Sequence, residues 1–311
     1  MILTVKDLVK RYKEKNALDH FNFEVEQGEV LGLLGPNGCG KTTAINCILS
    51  ILKFDAGEIK IFGESMTQTA IDIKKRIGLV PQEVSLFYDF TVQENIDYFC
   101  GLYITDSAKR KTLVNEAIEF VGLQNYKKYR AKKLSGGLLR RLNIACGIAH
   151  KPELIFMDEP TVAVDAQSRN FILSGIKTLS QSGSTIVYTT HYLEEVEELC
   201  DRIVIMDNGK TIANGTLDEL KNMNRIREKI IIDFVDVPDN IEQKIKNISH
   251  VLDVVKRTND YLITFENSVN NLNELILFIN AENLHYTKLY SERPTLNDTF
   301  LELTGKDLRD K

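Results

Sequence analysis

Nowhere in this chain do eighteen apolar residues run without a charge, so no segment is expected to span a bilayer. The opening stretch, Met1-Ile2-Leu3-Thr4-Val5-Lys6, lacks a charged region followed by a long apolar run, and no signal peptide is expected. A basic excess is missing too. Lysine and arginine total 39 against 44 acids, a net charge of −5, which argues against nucleic acid as a direct partner. Cysteine is sparse and shows no ligand spacing. Cys39, Cys47, Cys100, Cys146 and Cys200 are odd in number, far apart and free of any C-x-x-C pair. That pattern argues against a disulfide framework or a zinc site and fits a reducing cytosol. Internal repeats and low-complexity tracts are also lacking.

What the chain does have is an ordinary soluble balance, 43% hydrophobic and 27% charged. Its 311 residues leave room for two domains at about 150 residues each. Such a length buries a core without a metal or disulfide staple.

Residues Phe21–Val25 alternate apolar and polar as a half-buried strand does. The apolar run Val30–Leu34 then enters a glycine-rich loop, and a helix is expected from Lys41 to about Leu52. Further strands are expected at Glu58–Phe62, Ile77–Val80, Leu154–Met157, Thr185–Thr189 and Ile203–Met206. Helices should fill most of Thr91–Gly122, opened by a capping box of Thr91 with Glu94. Asn208-Gly209 between apolar runs reads as a tight hairpin turn, and Thr216 with Glu219 as a second capping box. After about Asn224 the texture changes. Strands at Lys229–Val235, His250–Arg257, Tyr261–Glu266 and His285–Ser291 are separated by helices at Asn240–Asn247 and Leu272–Glu282. The order βαββαβ suggests a small ferredoxin-like domain.

The loop Gly35-Pro36-Asn37-Gly38-Cys39-Gly40-Lys41-Thr42, with Thr43 following, matches G-x-x-x-x-G-K-[ST]. Its glycines let successive backbone N–H groups turn toward phosphates, and the helix start adds positive potential. Lys41 would bridge the phosphates of ATP, and Thr42 would ligate Mg²⁺. Leu154-Ile155-Phe156-Met157-Asp158-Glu159 is an apolar strand ending in two carboxylates, delivered to the sheet edge where ligands bind in open α/β folds. Asp158 would hold Mg²⁺ and Glu159 would act as general base on the attacking water.

Between these motifs Leu134-Ser135-Gly136-Gly137-Leu138 begins a helix with Ser135 as its N-cap. In this order the three motifs resemble the ATP-binding cassette (ABC) family over about residues 1–220. The resemblance implies an α/β P-loop NTPase fold: a parallel-sheet core, an antiparallel β subdomain and a helical subdomain at about 84–150. These would occupy residues 1–224, with a small α+β domain at 225–311. It also implies that Tyr12 stacks on adenine, unless it is simply a packed tyrosine, and that Gln82 senses Mg²⁺ and the lytic water. Asp165 resembles the loop aspartate between paired sites, although it could merely cap the next helix, and His191 resembles the switch histidine of the γ-phosphate.

Two positions depart from the family pattern. Leu138 stands where the signature usually ends in glutamine, and Ala163-Val164 where Gly-Leu or Gly-Ile is usual. An altered rate or dimer geometry is expected from these, not an inactive enzyme. Cys39, beside a helix start and Lys41, reads as a thiol of lowered pKa, or else as an inert small residue. The basic run from Lys127 to Lys133 and the acidic run Glu194-Glu195-Val196-Glu197-Glu198 read as solvated faces.

Family architecture implies two cassettes paired head to tail, as a homodimer or with a paralogue. Each ATP would lie between one P-loop and the partner's Ser135–Gly137 helix start. It further implies an integral-membrane permease on a separate chain, with this subunit peripheral on the cytoplasmic face. Val84, Leu86, Phe87, Tyr88 and Phe90 form an apolar cluster suited to docking that permease, or to core packing. The segment from Arg293 to Lys306 resembles the terminus of ATPase subunits of bacterial multidrug, antibiotic and sodium exporters, so export is the expected direction. A soluble cassette acting on ribosomes or nucleic acid, or a weakly hydrolytic regulatory cassette, are the competing readings.

Overall fold

The computed structural model describes residues 1–266 and 269–305. The chain divides into two compact units, the first Met1–Thr216 and the second opening at Leu217, earlier than the expected change of texture near residue 224.

In the first unit the central sheet holds β3 (Val30–Leu34), β6 (Ile77–Val80), β7 (Leu154–Asp158), β8 (Thr185–Thr190), β9 (Arg202–Asp207) and β10 (Lys210–Gly215). Their order is β10-β9-β3-β8-β7-β6, parallel throughout except for the β9–β10 hairpin. Every residue of β3, β7 and β8 is buried, as a parallel sheet covered on both faces requires. A second sheet, antiparallel, joins β1 (Leu3–Tyr12), β2 (Lys15–Val25), β4 (Ala56–Ile61) and the short β5 (Glu64–Ser65). Strand β1 is absent from the expectations above because its burial, interrupted by register shifts against β2, breaks the simple alternation.

Helix α1 (Lys41–Ile48) follows β3 directly. It stops short of the expected Leu52 because Ser50 takes a left-handed φ of 51° and the amides of Ile51 and Leu52 turn back onto the Asn46 carbonyl. Between β5 and β7 lie α2 (Ile71–Lys75), α3 (Val92–Gly101), α4 (Ser107–Phe120) and α5 (Gly136–Ile148). Thr91 and Glu94 form the capping box of α3, and Asp106 caps α4. Helices α6 (Ala166–Gln181) and α7 (Leu193–Leu199) flank β8.

Because β3, β6, β7 and β8 run parallel, their carboxyl ends share one edge. The glycine loop follows β3, Gln82 lies just past β6, Glu159 follows β7 and His191 follows β8. Four segments distant in sequence are thereby brought to one place.

The second unit begins with α8 (Leu217–Met223) and continues as β11 (Glu228–Phe234), α9 (Ile241–Lys246), β12 (Val251–Lys256), β13 (Tyr261–Phe265), α10 (Asn271–Ala281) and β14 (Tyr286–Glu292). The sheet is antiparallel in the order β12-β13-β11-β14, the ferredoxin-like arrangement. Ile230, Ile232, Ile263 and Phe265 of the sheet pack on Ile241, Ile245, Leu275 and Ile279 of α9 and α10. Helix α11 (Leu296–Thr304) is capped by Thr295 with Asp298, and it buries Leu296 and Phe300 completely. Of the stretch Arg293–Lys306, Leu296–Thr304 form this helix, while Lys306 falls outside the described residues.

Candidate functional site

A cleft of about 440 Å³ opens at the carboxyl edge of the parallel sheet. It is lined by Asn37 to Thr43 of the glycine loop, by Gln82 and Glu159, and by Tyr12, Lys15, Asn16 and Ala17 of the β1–β2 hairpin. Asn208 and Gly209 close the remaining wall. Lys15, Asn16 and Ala17 went unassigned in the sequence, and Asn208-Gly209 was legible only as a turn. Gly209 explains the join: its N–H donates to the Cys39 carbonyl, and its own carbonyl accepts from the Asp19 N–H. A Cβ there would lie 2.6 Å from the Ala17 carbonyl oxygen.

The loop itself is held by close backbone contacts. Gly40 has φ 116°, and a Cβ on it would meet the same Ala17 carbonyl oxygen at 2.6 Å. Lys41 is 5% exposed, with its ammonium folded under the loop. Nζ donates to the Gly35 carbonyl at 2.8 Å and the Pro36 carbonyl at 3.2 Å, and pairs with Glu159 Oε1 at 3.2 Å. Two carbonyls and one carboxylate therefore surround the ammonium.

Asp158 sits behind the loop and lines no part of the cleft. Its Oδ2 accepts from Thr42 Oγ1 at 2.7 Å and its Oδ1 from Thr189 Oγ1 at 2.6 Å. Glu159, next along, has a left-handed φ of 46°, a strained value for a residue with a Cβ. Two acceptors on Thr189, its carbonyl and its hydroxyl, hold the Glu159 N–H at 3.1 and 3.0 Å. The strain turns the carboxylate back over the loop. There Gln82 Nε2 donates to Oε2 at 3.2 Å, and His191 Nδ1 approaches Oε1 at 3.4 Å without hydrogen-bond alignment. Glu159 is thus met by Lys41, Gln82 and His191 from three different strand ends.

Gln82 owes its position to α5. Arg140, buried in that helix, donates through Nη1 to the Pro81 carbonyl at 3.1 Å and the Gln82 carbonyl at 2.7 Å. Asn143 Nδ2 adds a bond to the Pro81 carbonyl at 3.2 Å. Burial pulls the guanidinium pKa down against the attraction of Asp158 and Glu159. Neither residue was singled out in the sequence, since nothing local marks an arginine or asparagine that reaches another loop.

The Ser135–Gly137 helix start lies away from the cleft of its own chain. Ser135 and Gly136 are exposed at the start of α5, with Ser135 Oγ accepting the Leu138 N–H at 3.4 Å. Gly137 is buried, and a Cβ on it would collide with Ser168 Oγ and crowd Asp165 Oδ2 at 2.9 Å. Asp165 caps α6 by accepting the Ser168 N–H at 2.8 Å and the Ser168 hydroxyl at 2.9 Å. The Asp165 carboxyl is held below its usual pKa by those bonds.

One alternative is decided and one expectation fails. Cys39 is buried against Gly35, and burial pushes its thiol pKa up in spite of Lys41, which favours the inert reading over the activated thiol. The acidic run is not a wholly solvated face. Glu194, Glu197 and Glu198 are exposed, but Glu195 is fully buried in a network with Arg169, Tyr188 and Thr190. The apolar cluster divides: Val84 and Leu86 are half-buried, Leu86 against the core, while Phe87, Tyr88 and Phe90 are 39% to 47% exposed, with Tyr98 exposed beside them.

With this geometry in place the comparisons are direct. Residues 18–162 match the ABC transporter family, and residues 215–304 match the C-terminal domain of DrrA1-3-like ATP-binding proteins. The chain is 36% identical to linearmycin resistance ATP-binding protein LnrL of Bacillus subtilis (strain 168), over 99% of this chain and 100% of that protein. It is 35% identical to Nod factor export ATP-binding protein I of Ralstonia nicotianae, over 99% of this chain and 95% of the relative. A solved ATP-binding cassette, dimeric and in a post-hydrolysis state with ADP and Pi bound, superposes with a TM-score of 0.64. That match is 26% identical and covers 69% of this chain and 98% of that one. The chain belongs to the ABC transporter family, as an ATP-binding and ATP-hydrolysing subunit.

Proposed function

We propose that this subunit drives export by hydrolysing ATP at Glu159 within a head-to-tail pair of cassettes that moves a separate membrane permease. The observation that carries the reading is the convergence of Lys41, Gln82 and His191 on one carboxylate, all within 3.4 Å. Lys41 pairs with Glu159 at 3.2 Å, and a phosphate that draws on its ammonium competes with that carboxylate. The carboxylate is then released to accept a proton from water, with Gln82 and His191 beside it to orient the reacting groups. Tyr12, 49% exposed at the cleft wall, offers a ring face to adenine.

Thr42 Oγ1 and Asp158 Oδ2 form a pair of hard oxygen donors 2.7 Å apart, which fits Mg²⁺ held further by phosphates and water. When bound, Mg²⁺ would neutralise charge on the phosphates. Ser135 and Gly136 are exposed on α5 and outside their own chain's cleft, which suits them to a nucleotide held by a partner cassette. Among the described residues no helix is long and apolar enough to cross a membrane, and the permease is assigned to another chain. Phe87, Tyr88, Phe90 and Tyr98 supply the apolar surface for it, the first three in the segment that continues from Gln82. This arrangement seats the subunit on the cytoplasmic face of the membrane.

The test is Glu159→Gln. It should cut phosphate release by about 10² to 10⁴-fold, the usual contribution of a general base, while fluorescent ATP still binds. Unchanged release in the variant sinks the assignment.

A further inference from the structure

We infer that Glu195 is a positioning residue for hydrolysis, tying the switch segment around His191 to the Asp165 segment that abuts the signature helix. The inference rests on the proposed roles of Glu159 and His191.

Glu195 stands in the first turn of α7, where the helix start favours a carboxylate, yet it is 0% exposed. A buried acid is tolerated when donors surround it. Here Oε2 accepts from the Tyr188 hydroxyl at 2.7 Å and from Thr190 Oγ1 at 2.8 Å, and Oε1 accepts from Arg169 Nε at 2.8 Å. These partners bracket the switch residue. Thr190 precedes His191, and Thr190 Oγ1 also accepts the N–H of Tyr192, which follows it, at 3.0 Å. One carboxylate therefore fixes a hydroxyl that pins both neighbours of His191.

The same carboxylate holds Arg169 in place. The guanidinium carbon lies 5.0 Å from the Tyr192 ring centre, that ring lies 4.2 Å from the His191 ring, and His191 reaches Glu159 at 3.4 Å. Arg169 belongs to the first turn of α6, with its N–H donating to the Asp165 carbonyl. Gly137 of the signature helix packs without room for a Cβ on Asp165 and Ser168. A continuous set of contacts thus runs from the Ser135–Gly137 helix start, through Asp165, Arg169 and Glu195, to His191 and Glu159. Glu195 is the point where the two halves meet.

Contact alone does not establish coupling, which requires a measured interaction. Glu195→Gln keeps the shape while removing the charge that faces Arg169. Thr190→Val removes the bridging hydroxyl at constant volume, and Thr190→Ser restores it. In ATPase assays on the full chain, Glu195→Gln and Thr190→Val should each lower kcat about tenfold, while KM for ATP stays within about twofold and Thr190→Ser recovers. Glu195→Gln combined with Arg169→Met should lose less than the product of the single losses. A second readout is independent of turnover: the His191 imidazole resonances, followed by NMR, should move in Glu195→Gln and Thr190→Val and return in Thr190→Ser. Wild-type kcat in both variants, or an unmoved His191 signal, overturns the inference. So does a fall in kcat matched by the loss of folded protein and not recovered in Thr190→Ser. A wild-type chain without turnover refutes the proposed function instead, and the His191 signal still decides the role of Glu195.

Discussion

Replacing Arg140 by methionine isolates how far hydrolysis depends on the seat of the Gln82 loop. The side chain is 5% exposed and makes two bonds, to the Pro81 carbonyl at 3.1 Å and the Gln82 carbonyl at 2.7 Å. Charge-assisted bonds contribute about 1.5–3 kcal/mol each, a gross loss of roughly 3–6 kcal/mol. Two effects reduce it. The Pro81 carbonyl keeps Asn143 as a donor, so only the Gln82 carbonyl is left without its short bond. Removing a guanidinium whose pKa is already lowered by burial also relieves a desolvation cost. The net destabilisation should be about 1–3 kcal/mol by urea unfolding. Turnover should suffer more than stability. Gln82 stands 3.2 Å from Glu159, and a drift of about 1 Å at a reacting group can cost about 10²-fold. We expect kcat for phosphate release to fall about 10- to 100-fold, with KM for ATP changed by less than about threefold. The KM is spared because Lys41 and the glycine loop are held by contacts of their own. A folded Arg140→Met variant that hydrolyses ATP at the wild-type rate refutes this reasoning.

Gly40→Ala should weaken binding of a fluorescent ATP analogue at least about tenfold, because φ 116° and the Ala17 carbonyl at 2.6 Å leave no place for a methyl without strain; wild-type affinity would contradict it. Ala163 has a left-handed φ of 59°, costing about 1–2 kcal/mol, so Ala163→Gly should raise the melting temperature by about 1–3 °C after the entropy cost of glycine. A lower melting temperature would show that the φ carries no strain. His150 is buried, with Nε2 on the Ile77 carbonyl at 3.0 Å and its ring stacked on Tyr103, and burial holds its pKa below the unfolded value of 6.5. The unfolded chain therefore takes up the proton first, and stability present above about pH 6.5 drains as pH falls below it. Urea midpoints at pH 7.5 and 5.5 should converge in His150→Gln, and an undiminished pH difference in that variant would exclude His150 as the source.

The reacting groups were legible because their chemistry leaves local traces. A phosphate loop needs glycines at fixed spacing, and an apolar strand ending in Asp158-Glu159 announces the edge to which it delivers them. The parallel strands were legible as short apolar runs, and Ile77–Val80 has the expected bounds. The βαββαβ alternation of the second unit was equally plain, with apolar runs strongest in β11 and β13. Strand β1 was not, because bulges shift its inward face partway along. Nor was the early end of α1, which is set by a single left-handed serine inside an apolar stretch.

The misjudged residues share a different cause. Glu195 lies in a run of four glutamates within five residues, and only the helical phase separates it from its exposed neighbours. Its burial is decided by Tyr188, Thr190 and Arg169, which are drawn together by tertiary packing. Cys39 was judged from the charges beside it, whereas the desolvation that raises its pKa comes from the packed loop. In each case the residue type was visible and its solvent was not. The electrostatic character of this site therefore follows from which groups the fold dehydrates, and the same logic places Glu159: its motif names the carboxylate, but a strained φ and the Thr189 contacts aim it at Lys41.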